Sequence, residues 1–192
     1  MKTNICYYLV AQAPFMDEPF RQNIKDVMGQ PITWHRIHKD QVAFFSEDDR
    51  HTSLQTFLDT YQQEYNLKFH LLKTYRLHPL GEAASRLAIK KNPGKVDSLG
   101  DLMLQLIFDG NQILSPLIKE EFSQIPRHLM QTASMLLACD LKATVASERL
   151  YVHRNTFAYR LNQFVNLTGL DIRQHDHALL FSLIEKLLIK QG

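Results

Sequence analysis

The chain has 192 residues, of which 45% are hydrophobic, and a formal net charge of +2 at pH 7. A chain of this length can bury one or two sizeable cores, whereas so small a charge excludes nucleic-acid binding through the overall field and leaves only a local basic patch. Cys6 and Cys139 lie far apart without metal-binding spacing, and no segment approaches the roughly 18 apolar residues of a membrane span. We therefore expect a soluble cytoplasmic protein with free thiols and without a signal peptide, a membrane span or a bound cofactor.

The first half of the chain alternates between strand-like and helix-like segments. Hydrophobic periodicity predicts strands over 5–11, 33–38, 41–46 and 67–77, and helices over 17–29, 53–65 and 80–90. Lys39-Asp40 is placed in a hairpin turn, and Asn92-Pro93-Gly94 breaks the chain after the last of these helices. The order β-α-β-β-α-β-α predicts a ferredoxin-like βαββαβ sheet with its helices packed on one face.

A helix with a wide apolar face is predicted between the two halves. It runs from Ser98 to Asp109, with Gly110 as its stop, and its apolar residues are Leu99, Leu102, Met103, Leu106 and Ile107. Such a face predicts packing against the sheet or a dimer interface, and the apolar stripe of the last helix, from His177 to Lys190, is a second candidate interface. We expect an α+β protein with a sheet domain over 1–95, a helical connector over 96–125 and an all-α domain over 126–192.

Residues 141–161 predict two short helices joined by a tight turn. In the first helix Ala146 and Leu150 stand at i and i+4 on the apolar side, and Thr144 is a candidate N-cap. Val152 fills the turn, and the second helix follows after about three residues. This spacing is typical of a helix-turn-helix, whose second helix lies in the major groove of DNA.

The second of these helices has an apolar side and a polar side. Phe157, Leu161 and Phe164 recur at i, i+4 and i+7, which predicts a buried stripe. The residues that we expect to face DNA are His153, which is also a candidate N-cap, and Arg154, Asn155, Thr156, Tyr159, Arg160 and Asn162. Lys142 and Thr144 of the first helix are expected near the DNA backbone. From 140 to 165 the basic residues Lys142, Arg149, Arg154 and Arg160 exceed the acidic Asp140 and Glu148 by two.

These residues resemble a known family. The run Val152-His153-Arg154-Asn155-Thr156-Phe157, followed by Tyr159-Arg160-Leu161 and then by Leu167-Thr168-Gly169, resembles the C-terminal, Fis-like helix-turn-helix of the PucR/CdaR bacterial transcription regulators. The resemblance covers about residues 114–188 and implies a regulator that binds double-stranded DNA. Ala158 stands where the family usually has a second arginine, and Phe157 replaces its usual leucine. The missing arginine and the small net charge motivate the alternative of a protein-interaction module that has lost DNA binding.

The first half is similar to the degenerate GGDEF-like domain that precedes the helix-turn-helix in many PucR/CdaR regulators. True GGDEF cyclases carry Gly-Gly-Asp/Glu-Glu at the hairpin, where glycines admit the nucleotide and carboxylates hold metal. Here the hairpin reads His38-Lys39-Asp40-Gln41, so we expect no enzyme, and a nucleotide-processing activity rests on topology alone. Glu47, Asp48 and Asp49 are better explained as charges at a helix start than as metal ligands. The histidines show no metal-binding spacing either.

The expected mode of DNA binding also predicts an oligomer. One helix-turn-helix with a small surplus of charge binds a half-site weakly, whereas two related by symmetry match a palindromic operator, so we expect a homodimer. Family members often sense a small metabolite through a further N-terminal domain, and the length of this chain leaves room for the sheet domain alone. The sequence identifies no small-molecule effector.

Overall fold

The chain forms two units, Met1–Leu102 and Met103–Gly192, and the computed structural model describes residues 5–13 and 18–189. The elements of the first unit are β1 (Ile5–Ala11), α1 (Glu18–Met28), β2 (His35–His38), β3 (Gln41–Ser46), α2 (His51–Tyr65), β4 (Phe69–Thr74), α3 (Pro79–Lys91) and β5 (Val96–Ser98). Helix α4 (Leu99–Phe108) begins in the first unit and ends in the second. The second unit continues with α5 (Ser115–Ser123), α6 (Arg127–Ala138), α7 (Ala143–Arg149), α8 (Arg154–Thr168) and α9 (His175–Ile189).

The strands of the first unit form a sheet in the order β2-β3-β1-β4-β5. β1 is antiparallel to both β3 and β4, and β2 is antiparallel to β3. These directions and this order of β1 to β4 are those of a ferredoxin-like sheet, so the predicted α+β fold class is confirmed. The hairpin strand predicted over 41–46 is confirmed residue by residue as β3.

The strand β5, which lies parallel to β4 at the edge of the sheet, is not predicted by the sequence pattern. Its three residues are too few to show an alternating pattern, and the helix was predicted to begin inside it, at Ser98. The strand exists because of partners distant in sequence: the Leu71 N–H donates to the carbonyl of Lys95 (3.0 Å), and the Val96 N–H donates to Oε1 of Gln55 (2.8 Å).

Helices cover both faces of the sheet, so the prediction of helices on one face is wrong. On one face Tyr7, Leu9, Phe44 and Leu71 pack with buried residues of α1 and α2, namely Phe20, Ile24, Leu54 and Leu58. On the other face α3 approaches β1 so closely that a Cβ added to Gly81 would lie 2.6 Å from a ring carbon of Tyr8. The Tyr8 hydroxyl accepts the His78 N–H (2.7 Å) and donates to the His78 carbonyl (2.9 Å), which fixes the start of α3.

Asp49 of the acidic cluster organises the start of α2. Its Oδ1 accepts the His51 N–H (3.0 Å) and the Tyr7 hydroxyl (3.0 Å), while Oδ2 accepts the Lys73 ammonium (2.9 Å). Burial raises the pKa of this carboxyl, but Lys73, together with the hydrogen bonds from His51 and Tyr7, holds the pKa below its usual value. Within the described ranges, no three histidine, cysteine or acidic side chains converge in a way that would hold a metal ion.

The second unit has a helical core. Phe164 of α8 and Phe181 of α9 meet edge to face with centroids 5.1 Å apart, and Leu129, Ala133 and Leu136 of α6 are buried. In α4, where the boundary between the two units falls, Leu102, Met103 and Leu106 are buried, so these residues of the wide apolar face are not free for another copy. The predicted start of the first helix at Asp17 and the predicted end of the last helix at Lys190 lie outside the described residues.

In the part of the chain that is described, no helix is long and apolar enough to span a membrane.

Candidate nucleic-acid interface

A left-handed turn connects α6 to α7. Asp140 and Leu141 have φ angles of 52° and 61°, and the Leu141 N–H donates to the Leu136 carbonyl (2.9 Å), which closes the end of α6. The chain then returns to an extended conformation at Lys142, which is the N-cap of α7. Thr144, predicted to be that N-cap, instead lies within the first turn, where its carbonyl accepts the Ser147 hydroxyl (2.8 Å). The prediction is wrong because the left-handed pair places the helix start earlier than the side-chain pattern indicates.

A second tight turn connects α7 to α8. Tyr151 has a φ angle of 53°, and its N–H donates to the Glu148 carbonyl (3.0 Å). The Val152 N–H donates to the Ser147 carbonyl (3.0 Å), and the Val152 side chain is half-buried, as expected for the residue that fills the turn. Helices α6, α7 and α8 all contact one another, which is the arrangement of a helix-turn-helix with α8 as its second helix.

Helix α8 begins as the sequence predicts. His153 is its N-cap: the backbone is extended and Nδ1 accepts the Asn155 N–H (3.2 Å). Because Nδ1 accepts this bond, the neutral ring carries its proton on Nε2. The stripe of Phe157, Leu161 and Phe164 is buried, and the helix ends at Gly169, whose left-handed φ of 77° allows its N–H to reach the Val165 carbonyl (2.7 Å).

The polar side of α8 is open to solvent. The predicted site residues that are exposed are Lys142, Thr144, His153, Arg154, Asn155, Thr156, Tyr159 and Asn162, while Arg160 is half-buried at the edge of the core stripe. On α8, Asn155, Tyr159 and Asn162 follow one another at i, i+4 and i+7 and form one exposed stripe. Lys142 and Thr144 stand at the start of α7 instead. Ala158 is exposed as well, so the position that differs from the family's arginine offers no polar atom to a ligand.

Positive charge on this surface is largely uncompensated. Lys142, Arg149, Arg154 and Arg160 form neither an ion pair nor a side-chain hydrogen bond with any residue in the described part of the chain. Arg154 lies in the first turn of α8, beside backbone N–H groups that have no partner within the helix. A helix start with an adjacent free guanidinium group is suited to binding phosphate, and exposed arginine and asparagine side chains can pair with guanine and adenine edges.

Arg173 joins this surface and was missed by sequence analysis. Its guanidinium holds Asp171 through Nε–Oδ1 (2.7 Å) and Nη2–Oδ2 (2.9 Å), and Nη1 donates to Oδ1 of Asn162 (3.4 Å). The two residues are 11 positions apart, one in α8 and one in the loop after it. Helical periodicity carries no signal for such a contact. Along the stripe itself, the Tyr159 hydroxyl accepts Nε2 of Gln163 (2.9 Å).

Comparison with known proteins agrees with this geometry. Residues 129–185 match the family of the PucR C-terminal helix-turn-helix domain. The Carbohydrate diacid regulator of Escherichia coli (strain K12) is 32% identical over 87 residues, which is 42% of this chain and 23% of that protein. The uncharacterized protein YxkF of Bacillus subtilis (strain 168) is 25% identical over 168 residues, or 78% of this chain and 56% of that protein. An uncharacterized protein of Haemophilus influenzae is 40% identical over 75 residues, 38% of this chain and 19% of its own length.

The match defines the class of the second unit, which is a helix-turn-helix domain. Residues 129–185 are similar to the C-terminal domain of the PucR/CdaR regulators, so the predicted resemblance of this segment is confirmed. The matches take in about half or less of the length of these relatives. A solved structure, a regulator of polyketide synthase expression from Bifidobacterium adolescentis, is similar at a TM-score of 0.49 and 15% identity, with 99% of this chain and 82% of that chain covered.

Proposed function

We propose that this protein is a transcription regulator that binds double-stranded DNA with α8 in the major groove. The observation that carries the proposal is the pair of uncompensated arginines, Arg154 and Arg160, on a capped helix whose exposed stripe is polar. We assign the residues at the helix start to the nearest base edges and phosphates; they are His153 and, in the first turn, Arg154, Asn155 and Thr156. Tyr159, Arg160 and Asn162 follow along the groove, and Lys142 and Thr144 bind the backbone from α7.

A titration of labelled mixed-sequence duplex DNA, followed by fluorescence anisotropy, tests this proposal. We expect binding at about 50 mM salt that weakens steeply by about 200 mM, because neutralised phosphates release counterions. Arg154→Ala is expected to reduce affinity strongly, whereas Arg21→Gln, which removes an exposed arginine of α1, is expected to have little effect. Absence of binding at low salt would refute the proposal and favour the protein-interaction module. The exposed Ala158 is the structural observation that supports this alternative.

The proposed regulator is a homodimer in the cytoplasm. A single α8 presents few contacts, and two copies related by a twofold axis would contact successive major-groove turns. The effector is unassigned. For the first unit we propose a GGDEF-like domain without cyclase activity, because the hairpin between β2 and β3 lacks the glycine pair and carries one carboxylate, Asp40, which binds Arg86 (3.3 Å). Incubation with nucleoside triphosphates and Mg²⁺ is expected to leave the nucleotides unchanged.

A further inference from the structure

The contact between Arg173 and Asn162 determines which way the Asn162 amide faces. An arginine has donors and no acceptor, so the atom of Asn162 that Nη1 meets at 3.4 Å is the carbonyl oxygen Oδ1. The Nδ2 amino group is therefore turned away from Arg173 and towards solvent, because Asn162 is exposed. Asn162 thus presents two donors, whereas pairing with adenine in the major groove requires both its donor and its acceptor.

The loop that carries Arg173 is anchored at several points. The Asp171 N–H donates to Nδ1 of His177 in α9 (3.0 Å), the Arg173 N–H donates to Oδ1 of Asp171 (3.2 Å), and Ile172 is fully buried between them. Burial raises the pKa of Asp171, but the hydrogen bonds and charge of Arg173 keep that pKa below its ordinary value. The carboxylate is therefore ionised near neutral pH and fixes one edge of the guanidinium. Such a group loses little side-chain freedom when it binds a ligand.

Arg173 has further hydrogen-bond donors that are not used within the domain. Nη1 and Nη2 of Arg173 each keep one N–H beyond the bonds to Asn162 and Asp171, and the Arg173 side chain is 53% exposed. Together with the Asn162 amino group they form an exposed patch of hydrogen-bond donors beside the Asp171 carboxylate. Seven residues of helix separate Asn162 from Asn155, which places the patch roughly 10 Å beyond the start of α8. Oxygen atoms of the DNA backbone are acceptors of the kind that such a patch binds.

We propose that Arg173 and Asn162 together bind a phosphate of the DNA backbone, with Asp171 holding Arg173 in position. The proposal rests on the proposed function, since it assumes that α8 docks on duplex DNA. It adds a binding residue outside the helix-turn-helix helices. It also makes the two asparagines of the stripe unequal: Asn155 keeps both amide functions free to pair with a base, and Asn162 does not.

Anisotropy titration of the full chain on mixed-sequence duplexes over a range of salt concentrations tests the phosphate contact. Arg173→Gln is expected to weaken binding several-fold on every duplex and to reduce the magnitude of the salt slope by about one. Arg21→Gln, the matched change on α1, is expected to leave both unchanged. Asn162→Ala replaces an exposed helical residue with a strong helix former and is expected to weaken binding without loss of fold, which circular dichroism verifies.

The outcomes separate this proposal from the proposed function. If the wild type binds DNA, Arg154→Ala does not, and both Arg173→Gln and Asn162→Ala bind like the wild type with an unchanged salt slope, the phosphate contact is wrong and the proposed function stands. If Arg173→Gln instead changes the preference among selected duplexes at one position, the patch contacts a base, and the assignment to phosphate is overturned. If the wild type does not bind, both proposals fail.

Discussion

Tyr151 combines an exposed side chain with an unfavourable backbone conformation. Its φ angle of 53° lies in the left-handed region, and its side chain is 96% exposed in the turn between α7 and α8. An L-residue in this region costs about 1–2 kcal/mol, and little packing of the ring offsets that cost. Two backbone hydrogen bonds, one from the N–H of Tyr151 and one from the N–H of Val152, hold the turn in place.

We therefore expect Tyr151→Gly to raise the free energy of unfolding by about 0.5–1 kcal/mol, since the relief of strain exceeds the extra entropy that glycine adds to the unfolded chain. Tyr151→Val is expected to lower it, because a β-branched residue fits this region worst. Urea denaturation of the full chain measures both. Glu148→Gly, an exposed position with ordinary helical backbone in α7, is the matched control and should be destabilising. A loss of stability in Tyr151→Gly would contradict the assignment of strain.

His70 is a fully buried imidazole in β4. Its Nδ1–H donates to the Asn92 carbonyl (2.8 Å), and Nε2 lies 3.9 Å from Oδ2 of Asp97. Burial lowers the pKa of His70, an effect that the bond to Asn92 and the charge of Asp97 oppose but do not overcome. The unfolded chain therefore binds a proton at this residue more readily than the folded chain does.

The lowered pKa of His70 predicts an acid-sensitive fold. Above the unfolded pKa of about 6.5, His70 is neutral in both the folded and the unfolded protein, and its protonation does not reduce the free energy of unfolding. As the pH falls below that value, the unfolded state takes up the proton first, and stability is lost by up to about 1.4 kcal/mol per pH unit until the folded pKa is reached. Urea denaturation between about pH 5 and pH 7.5 measures the slope. His70→Asn should flatten it relative to the wild type and to His128→Asn, which removes an exposed histidine; equal slopes in all three would refute this account.

At the scale of single elements, α8 shows what local sequence can determine. The apolar stripe and the capping side chain act within a few residues, and both were predicted from the residues themselves. The start of α7 was not predicted, because the left-handed pair at Asp140 and Leu141 determines it, and leucine rarely adopts that conformation. The contact of Arg173 with Asn162 was missed for a related reason: a loop and a helix meet only after the domain has folded.

The contribution of the N-cap of α8, His153, to stability can be tested by substitution. His153→Ala removes the acceptor for the Asn155 N–H and is expected to lower the free energy of unfolding by about 1 kcal/mol. His153→Asn supplies an oxygen at the same place and should retain most of the wild-type stability. Urea denaturation at neutral pH compares the three proteins. Should the asparagine variant lose as much as the alanine variant, the imidazole contributes by packing or charge and not as a cap.

At the scale of the whole molecule, the connectivity of β1 to β4 was predictable, whereas β5 and the helices on both faces of the sheet were not. The order of strands and helices in the first unit follows from segment patterns, and the sheet of β1 to β4 has the predicted connectivity. The short β5 and the covering of both faces depend on pairing and packing between distant segments. The oligomeric state cannot be predicted from local sequence patterns either. For the proposed regulator, it determines how many basic side chains contact the DNA.

The salt dependence of DNA affinity indicates how many protomers bind, because its slope reports the number of neutralised phosphates. Each protomer offers four uncompensated cations on the α7–α8 surface, Lys142, Arg149, Arg154 and Arg160. Full neutralisation of one phosphate by each cation gives a slope of log K against log salt of about −3.6 for one protomer and about −7 for two. Arg173 adds at most about one contact per protomer, which brings the limit for one protomer to about −4.5. For the proposed homodimer we expect a slope steeper than about −4.5 on a duplex with half-sites about one helical turn apart, and a dimer mass by light scattering at the same concentration. A monomer mass together with a slope shallower than about −4.5 would show that a single copy binds.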